Sequence, residues 1–279
     1  MLRATQISLV AALAAALICV APVSIAAESA KPESNKLMSK NTTERSESGA
    51  PIYKHGARKK PFTPPKHSTD HLDEVQTHVE KHIGKVETVF HEIVSDLIHL
   101  DVLFIPATAK QPYHVLVTSG VSDEPMKVPE GAEEFNRVEL IIALPKEWPL
   151  TQESFQSENN YWPVRWLKDV GRLPHEHDTW VGWGHTIPNG DPAEPIANTK
   201  FTGVMLSPPY SLPPEFFKLK TKNGDIITFF VLTPLYQEEM DFKLKNGADS
   251  LEEKLGKHSV DFVVDTSRSN VVKKKSWFK

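Results

Sequence analysis

The stretches YHVLVTS at Tyr113–Ser119 and RVELIIAL at residues 137–144 decide the fold class. Each packs Val, Ile and Leu into a short run and is closed by a breaker, Gly120 after the first and Pro145 after the second. Runs this short and this apolar suit buried pleated strands. Upstream, residues 86–94 and 97–105 are rich in Val, Ile and Phe and stop at Pro106, which predicts two more strands, although the first also fits a helix. Downstream, strands are expected at 179–186, 201–207 and 226–233, the last entered through the turn Asn223-Gly224-Asp225.

Helices fill the gaps between strands. Leu72, Val75, Val79 and Ile83 recur at spacings of three and four, so a helix is predicted over 70–83. A second starts at Trp162-Pro163, aligns Trp162, Trp166, Val170 and Leu173 on one side, and is expected to end at Pro174. A third covers 237–245 and stops at Asn246-Gly247, and a shorter one covers 248–255. Strands outnumber helices without strictly alternating with them. The expected class is α+β, a single lobe with a mixed, largely antiparallel sheet and flanking helices.

The 279 residues are 39% hydrophobic and 24% charged, an ordinary globular composition. Cys19 is the only cysteine, so intrachain disulfides and zinc–thiolate centres are excluded. The net charge of -4 is unevenly spread. Residues 70–268 carry 18 basic and 32 acidic side chains, whereas 28–69 carry nine and four. An acidic body argues against nucleic acid as a partner and favours a basic protein.

Four segments are expected. Residues 1–27 have a basic start at Arg3, an apolar run and a small-residue exit at Ala26-Ala27, the pattern of a secretory signal peptide; export to the periplasm or the extracellular space follows, and membrane attachment only if the leader is uncleaved. Residues 28–69 read as a disordered basic linker, too poor in large apolar side chains to fold. The folded domain spans 70–268, and 269–279 form a basic tail.

The chemistry concentrates in Pro174-His175-Glu176-His177-Asp178-Thr179-Trp180 and Gly182-Trp183-Gly184-His185. Read as extended backbone, His175 and His177 point to one side, with Asp178 or His185 able to complete a metal set; this defines the alternative function, a metal-dependent hydrolase. The spacing matches no zinc signature, and a hydrogen-bonded loop accounts for it as well, so no metal, cofactor or catalytic residue is assigned. Trp180 and Trp183 are expected on opposite faces of one strand. His71, His78 and His82 share a helix face and read as its half-solvated edge. Thr118 to Asp123 lacks the esterase elbow and reads as a turn.

Six segments, in order, resemble the suppressor of fused family: YHVLVTSGVSDEPMKVP (113–129), RVELIIALP (137–145), W..RWLKDVGRLPHEHDTWVGWGHTIPNG (162–190), TGVMLSPP (202–209), FFVLTPLYQEEMDFKLKNG (229–247) and VVDTSR (263–268). The resemblance implies a mixed lobe around a central sheet and a non-enzymatic binding role. Animal members restrain a transcription factor by clamping a peptide between two lobes, and bacterial relatives are associated with immunity against polymorphic toxins. The present chain has length for one lobe, has the positions that are acidic in animal members falling near Gly184 and Pro208, which cannot make the same charge contacts, and carries the export signal. The expected function is therefore an exported protein-binding module, in an immunity or scaffold role, with His175, His177, Asp178, Trp183 and His185 toward the partner.

Overall fold

Strands whose every second residue is apolar cover one face of a sheet, whereas these strands are apolar at nearly every position and need cover on both. The computed structural model describes residues 44–66, 70–260 and 262–273, and its sheet is covered in that way. A small pair, β1 (Glu44–Arg45) and β2 (Pro51–Ile52), precedes helix α1 (Leu72–His82). The main sheet contains β3 (Thr88–Phe90), β4 (Asp101–Ile105), β5 (Tyr113–Ser119), β6 (Val138–Pro145), β7 (Thr186–Pro188), β8 (Gly203–Ser207), β9 (Lys218–Lys220) and β10 (Ile226–Leu235). Helix α2 (Glu158–His177) follows β6, and α3 (Gln237–Asn246) and α4 (Ala248–Lys257) follow β10.

The strand order is β3-β4-β5-β6-β10-β8-β7, with β9 also on β10. Every pairing is antiparallel except β6 with β10. The α+β class with a largely antiparallel sheet is the observed one. Alternation along the strands splits the core: Val102, Leu116, Leu140, Ile142 and Phe230 face α2 through its Trp162, Trp166 and Leu167, while Leu103, Val117, Ile141 and Phe229 face α1 through Val75 and Val79. Burying each such side chain contributes roughly 1.5–3 kcal/mol. A third cluster, built on Met205, Leu235, Met240, Leu251 and Leu255, holds α3 and α4 against β8 and β10.

Several local expectations need correction. Pro174 does not end α2, which continues to His177, where Asp178 takes left-handed dihedrals (φ 53°) and returns its N–H to the Pro174 carbonyl. His175, Glu176 and His177 are consequently helical rather than extended, and the strand expected at 179–186 is reduced to Thr186–Pro188. The expectation of a strand carrying Trp180 and Trp183 fails with it. His78 is buried rather than half-solvated, bonding the Phe216 carbonyl through Nε2 at 3.0 Å and stacking on Phe216 and Phe229. The turn after β5 is pinned by Glu139, the fully buried second residue of β6, which accepts from Gly120 N–H, Ser122 N–H and the hydroxyls of Ser122 and Thr118.

Residues 44–66, read as solvated linker, lie along the domain, and Val271 in the expected tail is buried. The leader at 1–27, the linker at 28–43 and 67–69, and tail residues 274–279 fall outside the described residues. Among the described residues no helix is long and apolar enough to cross a membrane.

Candidate partner-binding face

The end of α2 carries three of the residues singled out from sequence. Residues two apart on a helix point away from one another, so His175 and His177 separate. The His175 ring turns inward to the Val121 backbone, and burial, reinforced by the neighbouring Lys60 charge, lowers its pKa to about 4. Its Nε2 has no hydrogen-bond partner among the described residues. His177 stacks on His55, with ring centroids 4.8 Å apart. Asp178 accepts from Lys127 at 2.7 Å and Lys60 at 2.9 Å, and these two bonds hold its carboxyl below the usual carboxylate range.

The other two, Trp183 and His185, sit in a tight turn. His185 N–H donates to Gly182 O, while Gly184 N–H donates to Leu206 O and Leu206 N–H returns a bond to His185 O, so the turn is hooked to β8. Gly184 is required there. Its φ is +73°, and a Cβ would lie 2.7 Å from the Ala248 Cβ at the start of α4. Behind the turn, the His185 ring meets the half-buried Trp180 edge-to-face at 4.4 Å; burial, then the Lys243 charge, lowers its pKa to about 4.

This arrangement leaves Trp183 outside, 48% exposed. Its Nε1 donates to Glu252 Oε1 at 2.9 Å, and Tyr210, 71% exposed, donates its hydroxyl to the other oxygen of the same carboxylate at 3.2 Å. Partial burial and the Glu252 charge raise the Tyr210 hydroxyl to about 12, so it remains a donor at neutral pH. Beside this pair lies a groove of about 210 Å³ lined by Pro208, Tyr210, Thr233, Glu252, Leu255 and Val260. Two exposed rings fixed by one carboxylate offer rigid amphipathic area at small entropic cost, the composition that binding faces favour.

Of the five residues singled out from sequence, Trp183 alone belongs to this face. His175 and Asp178 meet through Lys60, and His177 and His185 lie against His55 and Tyr53 respectively. The premise of the hydrolase alternative, two histidines aimed one way, is corrected by the helix. Among the described residues no three His, Cys, Asp or Glu side chains gather as a metal-ligand set. Sequence reasoning missed Tyr210 and Glu252; the signal available for Tyr210 was an aromatic set among Pro208, Pro209 and Pro213, where it cannot join a strand or helix.

Residues 96–269 match the family model described as suppressor of fused protein (SUFU). Among solved structures, the chain is similar to a putative suppressor of fused homologue from Neisseria gonorrhoeae FA 1090, with TM-score 0.52 and 19% identity over 74% of this chain and 100% of that one. It is also similar to the Sufu–Fu complex structure (TM-score 0.48, 14% identity, 72% of this chain and 89% of that one) and to Drosophila Suppressor of Fused (0.48, 12%, 76% and 52%). No curated protein matches the chain.

Proposed function

The chain belongs to the suppressor of fused family, a family of non-enzymatic protein-binding scaffolds, and from that premise we propose that it is an exported protein-binding module acting in an immunity or scaffold role. The observation that carries the reading is the pair of exposed rings, Trp183 and Tyr210, held on Glu252 beside a groove. The outward side chains beside that groove are aromatic, which supports a contact surface. The domain's acidic excess fits a basic partner, since complementary charge speeds encounter and selects among candidates.

The face is tested by affinity purification from the source cells, with the full chain as bait. A partner retained by the unaltered chain should be lost at least about tenfold by Trp183→Ala combined with Tyr210→Ala, as expected for removal of aromatic anchors. Capture of the same proteins by both chains would overturn the assignment. Identity then separates the two roles: a toxin domain supports immunity, and an envelope component supports a scaffold. Export rests on the leader pattern, and mass spectrometry of the native protein should find an N-terminus between Ala26 and Glu28. A retained Met1 in the membrane fraction would move the protein to the anchored class.

A further inference from the structure

The segment from Tyr53 to Lys66 contains five basic residues and no acidic one, and it lies across the end of α2 in one continuous register. Arg58 places its guanidinium on Asp96, donating to Oδ1 at 3.0 Å and also bonding Oδ2, and stands 3.6 Å from Glu176 Oε1. Lys60, two residues on, donates to Asp178 and to the His175 carbonyl. The latter belongs to the last turn of α2, where the unsatisfied carbonyls carry the negative end of the helix dipole. Main-chain bonds fix the register: Thr63 N–H donates to Asp96 Oδ1 at 2.9 Å, and Leu97 N–H donates to Thr63 O at 2.8 Å. Upstream, His55 stacks on His177, and Tyr53 approaches His185 with centroids 6.3 Å apart.

No residue from 51 to 66 is fully buried, and Tyr53 and Phe62 remain largely exposed. The segment is therefore held by ion pairs and a few main-chain bonds, without an apolar anchor. The paired side chains keep solvent contact, 22–47% exposed, and ion pairs open to solvent are weak and screened by salt. What keeps such a segment in place is tethering, which supplies an effective concentration in the millimolar range. A free segment of the same chemistry, bound at comparable strength per contact, can replace it.

We propose that the rim formed by Asp96, Glu176, Asp178 and the His175 carbonyl is a receptor for extended basic protein segments that place Arg and Lys two residues apart, and that residues 53–63 are its built-in occupant, displaced when a partner presents such a segment. The seated Arg58 and Lys60 distinguish this rim from a mere accumulation of carboxylates. It shares no residue with the Trp183–Tyr210 pair, although Tyr53 of the occupant reaches His185 beside it.

The probe is a fluorescein-labelled synthetic peptide of residues 52–63, titrated by anisotropy into the full chain and into the full chain carrying Arg58→Glu and Lys60→Glu. The altered chain, its own segment repelled, should bind the peptide saturably and about tenfold more tightly than the unaltered chain, whose site is free only a fraction of the time. Adding Glu176→Gln and Asp178→Asn should abolish binding, with melting temperatures checking that each variant is folded. In the unaltered chain, unlabelled peptide should speed hydrogen exchange across residues 53–63. Equal affinity for the two chains, no binding to either, or unchanged exchange would overturn the proposal. Trp183→Ala with Tyr210→Ala should leave peptide binding intact, so failure of the aromatic face and failure of this rim are read separately.

Discussion

His175 and His185 are the residues whose chemistry the fold changes most. Burial is the leading cause for both, with Lys60 and Lys243 adding to it, and each pKa falls from 6.5 to about 4. A histidine with a depressed folded-state pKa favours the neutral form in the native protein, so its share of stability is complete above pH 6.5 and is lost as pH falls toward 4. Each can withdraw about 3 kcal/mol across that window. Asp178 and Asp96 titrate below it, because their partners hold them under the usual carboxylate range. Glu139, raised mainly by burial, works in the opposite sense, losing stability as pH rises above its ordinary 4.5. Urea unfolding should therefore show stability dropping between pH 6.5 and 4.5, and His175→Gln or His185→Gln should flatten part of that slope. A slope that neither His175→Gln nor His185→Gln changes would show that both rings stay solvated. Trp183 illustrates the limit of reading single residues. Its place in a Gly-Trp-Gly-His block marked it for attention, but its indole N–H is held by Glu252, 69 positions away, which no local pattern connects to it.

Elements were legible where their stability is local or their pattern repeats. The apolar runs of β5, β6 and β10 require burial on two faces, and the spacing of Val75 and Val79 requires a helix with one apolar stripe; both appear as expected. Helices α3 and α4 separate at Gly247, whose φ of +92° a residue with a side chain rarely adopts. The end of α2 was illegible because proline is a local breaker, costing about 3 kcal/mol in a helix interior, and here packing outweighs it. Pro174 is buried, and the last turn is closed by the Asp178 bond to its carbonyl. That one extra turn reverses the relation between His175 and His177, so an error of a few residues in an element becomes an error in the candidate chemistry. The short β9 and the docked segment at 53–63 were missed for a related reason. Polar residues at these positions look solvated in sequence, and only their distant partners, β10 for one and Asp96, Glu176 and Asp178 for the other, order them.

At the scale of the whole molecule, the chain past α4 returns to fasten the third core cluster on which the aromatic face stands. Arg268 is 9% exposed and donates to both oxygens of the fully buried Glu239, at 2.7 and 2.6 Å, and to Pro234 O at 2.8 Å. Its guanidinium lies 4.9 Å from the rings of both Phe201 and Tyr236. Glu239 also receives the N–H groups of Tyr236 and Val271, so one carboxylate joins the start of α3 to the returning segment. Deleting one partner of such a pair leaves an uncompensated buried charge, which costs about 3–5 kcal/mol, whereas replacing both by apolar groups of similar volume is far milder. Arg268→Ala should accordingly lower the urea-unfolding free energy by that amount. Arg268→Met with Glu239→Leu should recover much of the loss, although Tyr236 and Val271 would then lack their acceptor. If Arg268→Ala cost less than about 1 kcal/mol, the value of an ordinary exposed ion pair, the carboxylate would have to be solvated and the returning segment undocked. Because α4 rests on the same cluster through Leu251 and Leu255 and carries Glu252, undocking would also loosen the carboxylate that fixes Trp183 and Tyr210. Partner capture by Arg268→Ala should therefore fall with stability, while peptide binding at the C-terminal end of α2 should persist at temperatures where the variant remains folded.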